Sequence, residues 1–350
     1  MTLEDPVVAV AESAGLNLPA LEQASVITEE QLARFRNDLD ESLPETPGIG
    51  VVLTGSFARG EVVPDSDCDF LVIVTEVAEP HHVPRTVHAM KTLVEEHEYE
   101  PPGDQGVFGD FALAAELMAR IGLDGDSNTN LTRRILLLFE SVAVFGDGAL
   151  ETARDLLLVR YCYDYHPEVR AKDTLPSTAR FLLNDLVRYW RTVTVDFGAK
   201  RWRSARRDWY LRYAKLLTTR KILFAGSLFS VLTIEQAMRE SDPARVFDDL
   251  LDHLRRQLQF TPLGRLMSGY DALQPQGQQA LVGILENYER FVALISDKET
   301  RDALKDVGDD GYAELRTTVE EIGANIEQGL EQIFFDDPLL AGQTRKYGLF

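Results

Sequence analysis

GIGVVLTGSFARGEVVPDSDCDFLVIVT, residues 48–75, sets a Gly-Ser pair after a short apolar run and, ten residues later, two aspartates at the head of a second apolar run. Side chains alternate faces along a strand, so Asp67 and Asp69 point the same way and Cys68 points to the other side. Two carboxylates on one face make half of a metal site. Magnesium takes oxygen ligands and keeps waters, and a pair of acids sharing it with substrate phosphates is the usual arrangement for phosphoryl or nucleotidyl transfer. The Gly-Ser turn supplies the other half: Gly55 lets the backbone approach a phosphate, Ser56 offers a hydroxyl and an amide, and residues 57–60 can open a short helix whose N-terminus favours anions. No Gly-x-Gly-x-x-Gly opens a helix here, which excludes a dinucleotide fingerprint.

The stretch resembles the nucleotidyltransferases of the DNA polymerase β superfamily, whose signature is Gly-Gly or Gly-Ser, a spacer of about ten residues, then Asp-x-Asp or Asp-x-Glu. Here it reads Gly55-Ser56, ten residues, Asp67-Cys68-Asp69, followed by the apolar residues Phe70 to Val74. Arg59-Gly60-Glu61 and Pro64-Asp65-Ser66 recur in bacterial members. The resemblance covers roughly 30 of 350 residues. It implies two Mg2+ ions on Asp67 and Asp69, and Gly55, Ser56 and Arg59 on ATP or another nucleoside triphosphate. It also implies a third carboxylate on a later strand, to bridge a metal and take the proton of the attacking hydroxyl. Glu100, Asp104 and Asp110 are the candidates; Asp110, in Val107-Phe108-Gly109-Asp110-Phe111, has the apolar neighbours of a strand acid and is preferred.

The net charge of −21 is unevenly spread. Residues 1–150 carry 8 Lys+Arg against 27 Asp+Glu, net −19, and residues 151–350 carry 28 against 30, net −2. Within the second part, residues 180–221 hold 12 basic residues against Asp185, Asp196 and Asp208, net +9. A basic block in an acidic chain needs an anionic partner, either the acidic first part of the chain or a triphosphate or nucleic acid. The acidic surface argues against tight non-specific duplex DNA binding. Cys68 and Cys162 lack a metal or redox spacing, there is no run of 18 apolar residues, and the first residues carry acids where a signal peptide would be basic. The expected location is cytoplasmic, without a membrane partner.

Along the chain, a short helix is expected over 6–13, and a second from a Thr28 N-cap to about Leu43 with Leu32, Phe35 and Leu39 on one face. A helix over 85–98 buries Val87, Met90, Leu93 and Val94. The adjacent His81 and His82 read as loop. Helices over 112–122 and 131–143 follow, the second capped by Asn130, with one of Arg133 and Arg134 available to an anion. From about Leu150 onward the pattern is helical throughout. Arg180, Asn184, Arg188 and Arg191 form one stripe, and Arg188 and Arg191 are its candidates for nucleotide binding; a second basic helix from about Asp208 carries Arg212, Lys215, Arg220 and Lys221.

The expected architecture is α+β: a small mixed-sheet nucleotidyltransferase domain over 1–150, with core motif 48–75, then an all-helical substrate-binding domain over 151–335 and a partly ordered tail over 336–350. The helical part resembles the domain behind the catalytic one in bacterial nucleotidyltransferases similar to the PII uridylyltransferase. The reaction implied is transfer of a nucleoside monophosphate to an acceptor hydroxyl on a protein, an RNA end or a small molecule, with release of pyrophosphate. The alternative is a non-catalytic nucleotide sensor or toxin-antitoxin partner that keeps the fold.

Overall fold

Two runs rich in Val, Ile and Leu become strands buried along their whole length, as β-branched residues on a covered sheet should. The computed structural model describes residues 5–63, 66–79, 81–102, 106–169, 178–203, 209–305 and 312–348. The order is α1 (Pro6–Ala14), α2 (Pro19–Ser42), β1 (Ile49–Thr54), α3 (Ser56–Arg59), β2 (Phe70–Val74), α4 (His82–Glu96), β3 (Asp110–Leu113), α5 (Ala114–Ala119), α6 (Asn128–Phe139) and β4 (Ser141–Phe145). The helices α7 (Asp147–Tyr161), α8 (Arg180–Arg203), α9 (Trp209–Leu217), α10 (Thr219–Leu232), α11 (Ile234–Ala237), α12 (Val246–Leu258), α13 (Pro262–Met267), α14 (Pro275–Ser296), α15 (Lys298–Lys305), α16 (Ala313–Glu331) and α17 (Ala341–Tyr347) follow. The strand order is β3-β2-β1-β4, with β1 antiparallel to β2 and β4, and β2 parallel to β3. This is the small mixed sheet followed by helices that the α+β expectation describes.

Alternation along the strands divides the core. Val51, Leu53, Phe70 and Val72 face Leu32, Phe35 and Leu39 of α2 and Met90, Leu93 and Val94 of α4. Val52, Leu71, Ile73 and Ala112 face the other way, into a larger cluster that continues through α6 to α10 and on to α14 and α16. Asp69 shares the parity of Leu71 and Ile73, so the acids at the head of β2 look toward the helical region, while Cys68 is fully buried in the smaller cluster.

Thr28 is not a helix cap. It lies in mid-helix, because α2 starts nine residues earlier at Pro19, a residue suited to a first helical position. The Thr28 hydroxyl donates to the Ala24 carbonyl at 2.7 Å and accepts the Val62 N–H at 2.9 Å. The first amides of α2, at Ala20 and Leu21, are taken by the two oxygens of Glu289 on α14, at 2.7 and 3.0 Å. Ser127, rather than Asn130, caps α6. The C-terminal segment is more ordered than its composition implies: α17 forms, and Leu340, Ala341 and Thr344 are buried.

The second basic helix is two helices. α9 ends at Leu217 and α10 starts at Thr219, with Thr218 at φ −120° and ψ −92° between them. The stretch Trp209–Ala237 is apolar and long enough to cross a membrane by composition, yet 67% of its most apolar window is buried inside the fold, where it serves as core. Its aromatic residues pack on one another, Trp209 with Tyr213 and Trp190 of α8 with Phe224.

Candidate active site

β1 delivers the Gly-Ser turn and β2 the two acids to the same end of the sheet. The Thr54 N–H donates to the Asp69 carbonyl at 3.0 Å, which ties the two strand ends together. Gly55 stands at φ 68° and ψ −134°, and a Cβ built on it would meet nothing within 4 Å. What demands glycine is therefore the backbone conformation rather than crowding. Gly55→Val is expected to cost about 1–3 kcal/mol through that strain, read as a lower melting temperature. From the turn, Phe57 packs its ring edge-on against Phe35 and Tyr99, anchoring the single helical turn α3 in the smaller core.

Facing this end of the sheet is a cavity of about 1000 Å³. Gly55, Ser56, Arg59, Asp67 and Asp69 line one side, and Asn184, Arg188 and Arg191 of α8 line another. Lys215 from the last turn of α9 and Thr219 and Arg220 from the first turn of α10 complete the wall. The break at Thr218 is what lets both helix ends reach the cavity. Lys215 and Arg220 belong to the basic block, but nothing in sequence singles them out from Arg212 or Lys221. Lys221 instead pairs with Glu327 of α16 at 2.9 Å.

The electrostatics of the cavity are those of a cation site set against an anion site. Asp67 is exposed and Asp69 half-buried. Burial first, and then the charge of Asp67, pushes the Asp69 carboxyl up to about 6, with Glu140 adding to the rise and Lys215 and Arg220 opposing it. Burial, with the charges of Arg301, Arg59 and Arg220, brings the Lys215 ammonium down to about 8 against the pull of Asp67. Two carboxylates forced together, one of them reluctant to ionise, fit a divalent cation that would relieve their repulsion. A carboxyl whose folded form holds its proton more tightly stabilises the fold below its ordinary value of 3.8, and that contribution is lost as pH rises through about 6. Metal-free protein should therefore melt lower at neutral pH than on the acid side of that range, by an increment that Asp69→Asn removes. Magnesium added near pH 6 should release protons, measurable by calorimetry in buffers of different ionisation enthalpy.

The remaining candidates divide. Arg59 lines the cavity but is clamped: its Nε donates to Glu61 at 2.8 Å and a terminal nitrogen donates to Glu140 at 2.7 Å. Arg188 donates to the Asp126 carboxylate at 2.8 Å and to the Asp126 carbonyl at 2.9 Å. Asp126 also receives both terminal nitrogens of the buried Arg134, each at 2.7 Å, and Arg134 reaches Asp185 of α8 at 2.8 Å. Although burial opposes it, these hydrogen bonds and charges hold the Asp126 carboxyl below its usual range. Arg188 therefore joins α8 to the loop before α6. Arg191 is exposed at the cavity and has no ion pair among the described residues. Neither arginine at the start of α6 lines the cavity: Arg134 is held by Asp126 and Asp185, and Arg133 donates to the Val107 and Gly106 carbonyls.

Asp110 does not line the cavity. It opens the edge strand β3 opposite Leu71, its side chain is exposed, and Oδ1 accepts the Phe111 N–H at 2.9 Å. Glu100 sits across from Asp67 in a parallel bridge, with its side chain exposed and outside the cavity lining; Asp104 lies outside the described residues. The acids of the cavity that sequence reasoning missed are Glu61, Asp196 of α8 and Glu140, the last buried between α6 and β4, next to the Ser141 that pairs with Thr54. Glu79, His81 and His82 bring ligand atoms within 4.8 Å of one another, at the opposite end of β2 from Asp67 and Asp69.

Comparison with known proteins adds one family. The family model described as a nucleotidyltransferase domain matches residues 32–102, from the middle of α2 past α4. No curated protein matches the chain. Residues 32–102 are thus similar to a nucleotidyltransferase domain, a likeness that supports a general nucleotidyl-transfer activity, and the Gly-Ser turn and acid pair at one end of a small mixed sheet with helices after it fit the polymerase β resemblance.

Proposed function

We propose that the chain moves a nucleoside monophosphate from a nucleoside triphosphate to an acceptor hydroxyl on a protein, an RNA end or a small molecule, releasing pyrophosphate. The observation that carries this reading is the pair Asp67 and Asp69 facing Lys215 and Arg220 across one cavity, beside the Gly55-Ser56 turn. Asp67 and Asp69 would hold magnesium, which when bound supplies charge neutralisation on the triphosphate and acidifies the acceptor hydroxyl. Ser56 and the Gly55 backbone grip the terminal phosphates. Lys215 and Arg220 stand where negative charge builds on the departing pyrophosphate, and because both are carried on packed helices, their contribution is positioning and electrostatics. In this reading the first 150 residues provide the acids and the turn, the helical part closes the opposite wall, and the protein works in the cytoplasm.

One observation favours a second reading. Asp110 is outside the cavity, and two of the further carboxylates that line it, Glu61 and Glu140, are paired with Arg59. Were neither of these nor Asp196 of α8, which also lines the cavity, to take the acceptor's proton, the site would bind nucleotide without turning it over. Incubation of the pure protein with each labelled triphosphate, magnesium and cell extract separates the two. Label transfer with pyrophosphate release supports the enzyme; tight binding without pyrophosphate supports the sensor and overturns the enzyme.

A further inference from the structure

Tyr288 is fully buried on α14 and does not line the cavity. Its hydroxyl donates to Glu61 Oε1 at 2.6 Å, across 227 residues of chain. The other oxygen of Glu61 receives Arg59 Nε, and Arg59 reaches on to Glu140. Two carboxylates thus share one guanidinium out of water, and the Tyr288 hydroxyl is the neutral donor that completes the set on Glu61. Glu61 is tied in turn to the Gly-Ser turn by backbone: its N–H donates to the Ser56 carbonyl at 2.9 Å, and the Arg59 N–H donates to the Gly55 carbonyl at 3.1 Å. The next residue, Val62, is held by Thr28 of α2, and the start of α2 is capped by Glu289. Two consecutive residues of α14 therefore hold separate parts of the sheet domain, Tyr288 at the turn and Glu289 at the far end of α2.

We infer that Tyr288 is a positioning residue through which the helical region sets the Gly55-Ser56 turn for the terminal phosphates of the nucleotide. The inference rests on the proposed function. It explains why Arg59, which the resemblance puts on nucleotide, is neutralised: its charge is spent on aligning the turn. Tyr288→Phe removes one hydroxyl and leaves the ring, while Glu289→Gln is the control, weakening a helix cap without touching the turn.

The test measures the affinities of both variants and the wild type for the adenosine, guanosine, cytidine and uridine triphosphates and monophosphates with magnesium. It adds melting temperatures and amide hydrogen exchange over residues 55–62. For the triphosphate that the wild type binds, Tyr288→Phe should raise the dissociation constant about tenfold, leave monophosphate affinity unchanged and speed exchange across the turn. Glu289→Gln should lower the melting temperature and leave affinity and turn exchange as they are. Wild-type triphosphate affinity in Tyr288→Phe, or an equal loss for the monophosphate, would overturn the inference and leave the proposed function standing. A wild type that binds no triphosphate would overturn both. If Tyr288→Phe is too unstable to titrate, exchange over 55–62 in its folded fraction decides: protection equal to wild type overturns the inference.

Discussion

Asp67→Asn and Asp69→Asn are each expected to lower nucleotidyl transfer by about a thousandfold or more while leaving the fold intact, because a lost metal ligand removes several kcal/mol of transition-state charge stabilisation. Without magnesium both variants should melt no lower than the wild type, and Asp69→Asn higher, since burial and Asp67 already make the Asp69 charge unfavourable. With magnesium the order should reverse, because only the wild type gains stability from the ion. Turnover and melting temperature on the same samples check this; wild-type turnover in both variants would refute the metal-site assignment.

The second large effect concerns the cations. Lys215→Gln and Arg220→Gln should each raise the triphosphate dissociation constant by about tenfold to a hundredfold, the worth of one charge-assisted hydrogen bond. Salt should weaken binding to the wild type more than to the variants. Arg188→Gln should behave differently. Its hydrogen bonds run to Asp126, so its loss should cost about 1–3 kcal/mol of stability and little affinity. Arg191→Gln, exposed at the cavity, should show the reverse: some affinity lost and no stability. Titrations and melting curves on the four variants would show whether the basic block is divided in this way; equal affinity losses in all four would count against it.

The sheet and its acids were legible because the signal is local. A strand-turn-strand with strict alternation states the direction of every side chain, and Cys68 and Asp69 fall on the faces that alternation assigns. Lys215 and Arg220 were not legible as a pair with Asp67 and Asp69, since only the long-range packing of α9 and α10 brings them together. The break at Thr218 contains no proline or glycine to announce it. Thr28 followed by two glutamates imitates a helix start, and the better signal was Pro19 with the apolar periodicity of Leu21 and Ala24 continuing into Leu32 and Phe35. Asp110 does open a strand, as its apolar neighbours imply, but sequence cannot tell a central strand from an edge, and at the edge its carboxylate is exposed and outside the cavity.

The interruption between α9 and α10 bears on how quickly the site can respond to charge. Thr218 bonds back to the Ala214 carbonyl at 2.8 Å, closing one helix as the other begins, and beyond Arg220 the chain enters solid core at Ile222, Leu223 and Ala225. A cation borne on a loose surface arm must shed water and be frozen in place each time a phosphate arrives. Lys215 and Arg220 ride on a segment greasy enough to resemble a membrane span, so the backbone that carries them is fixed once, when the protein folds. Less of the chain then has to rearrange when a phosphate arrives, and the cost of holding two partly buried positive charges is met by the packing of the helix behind them.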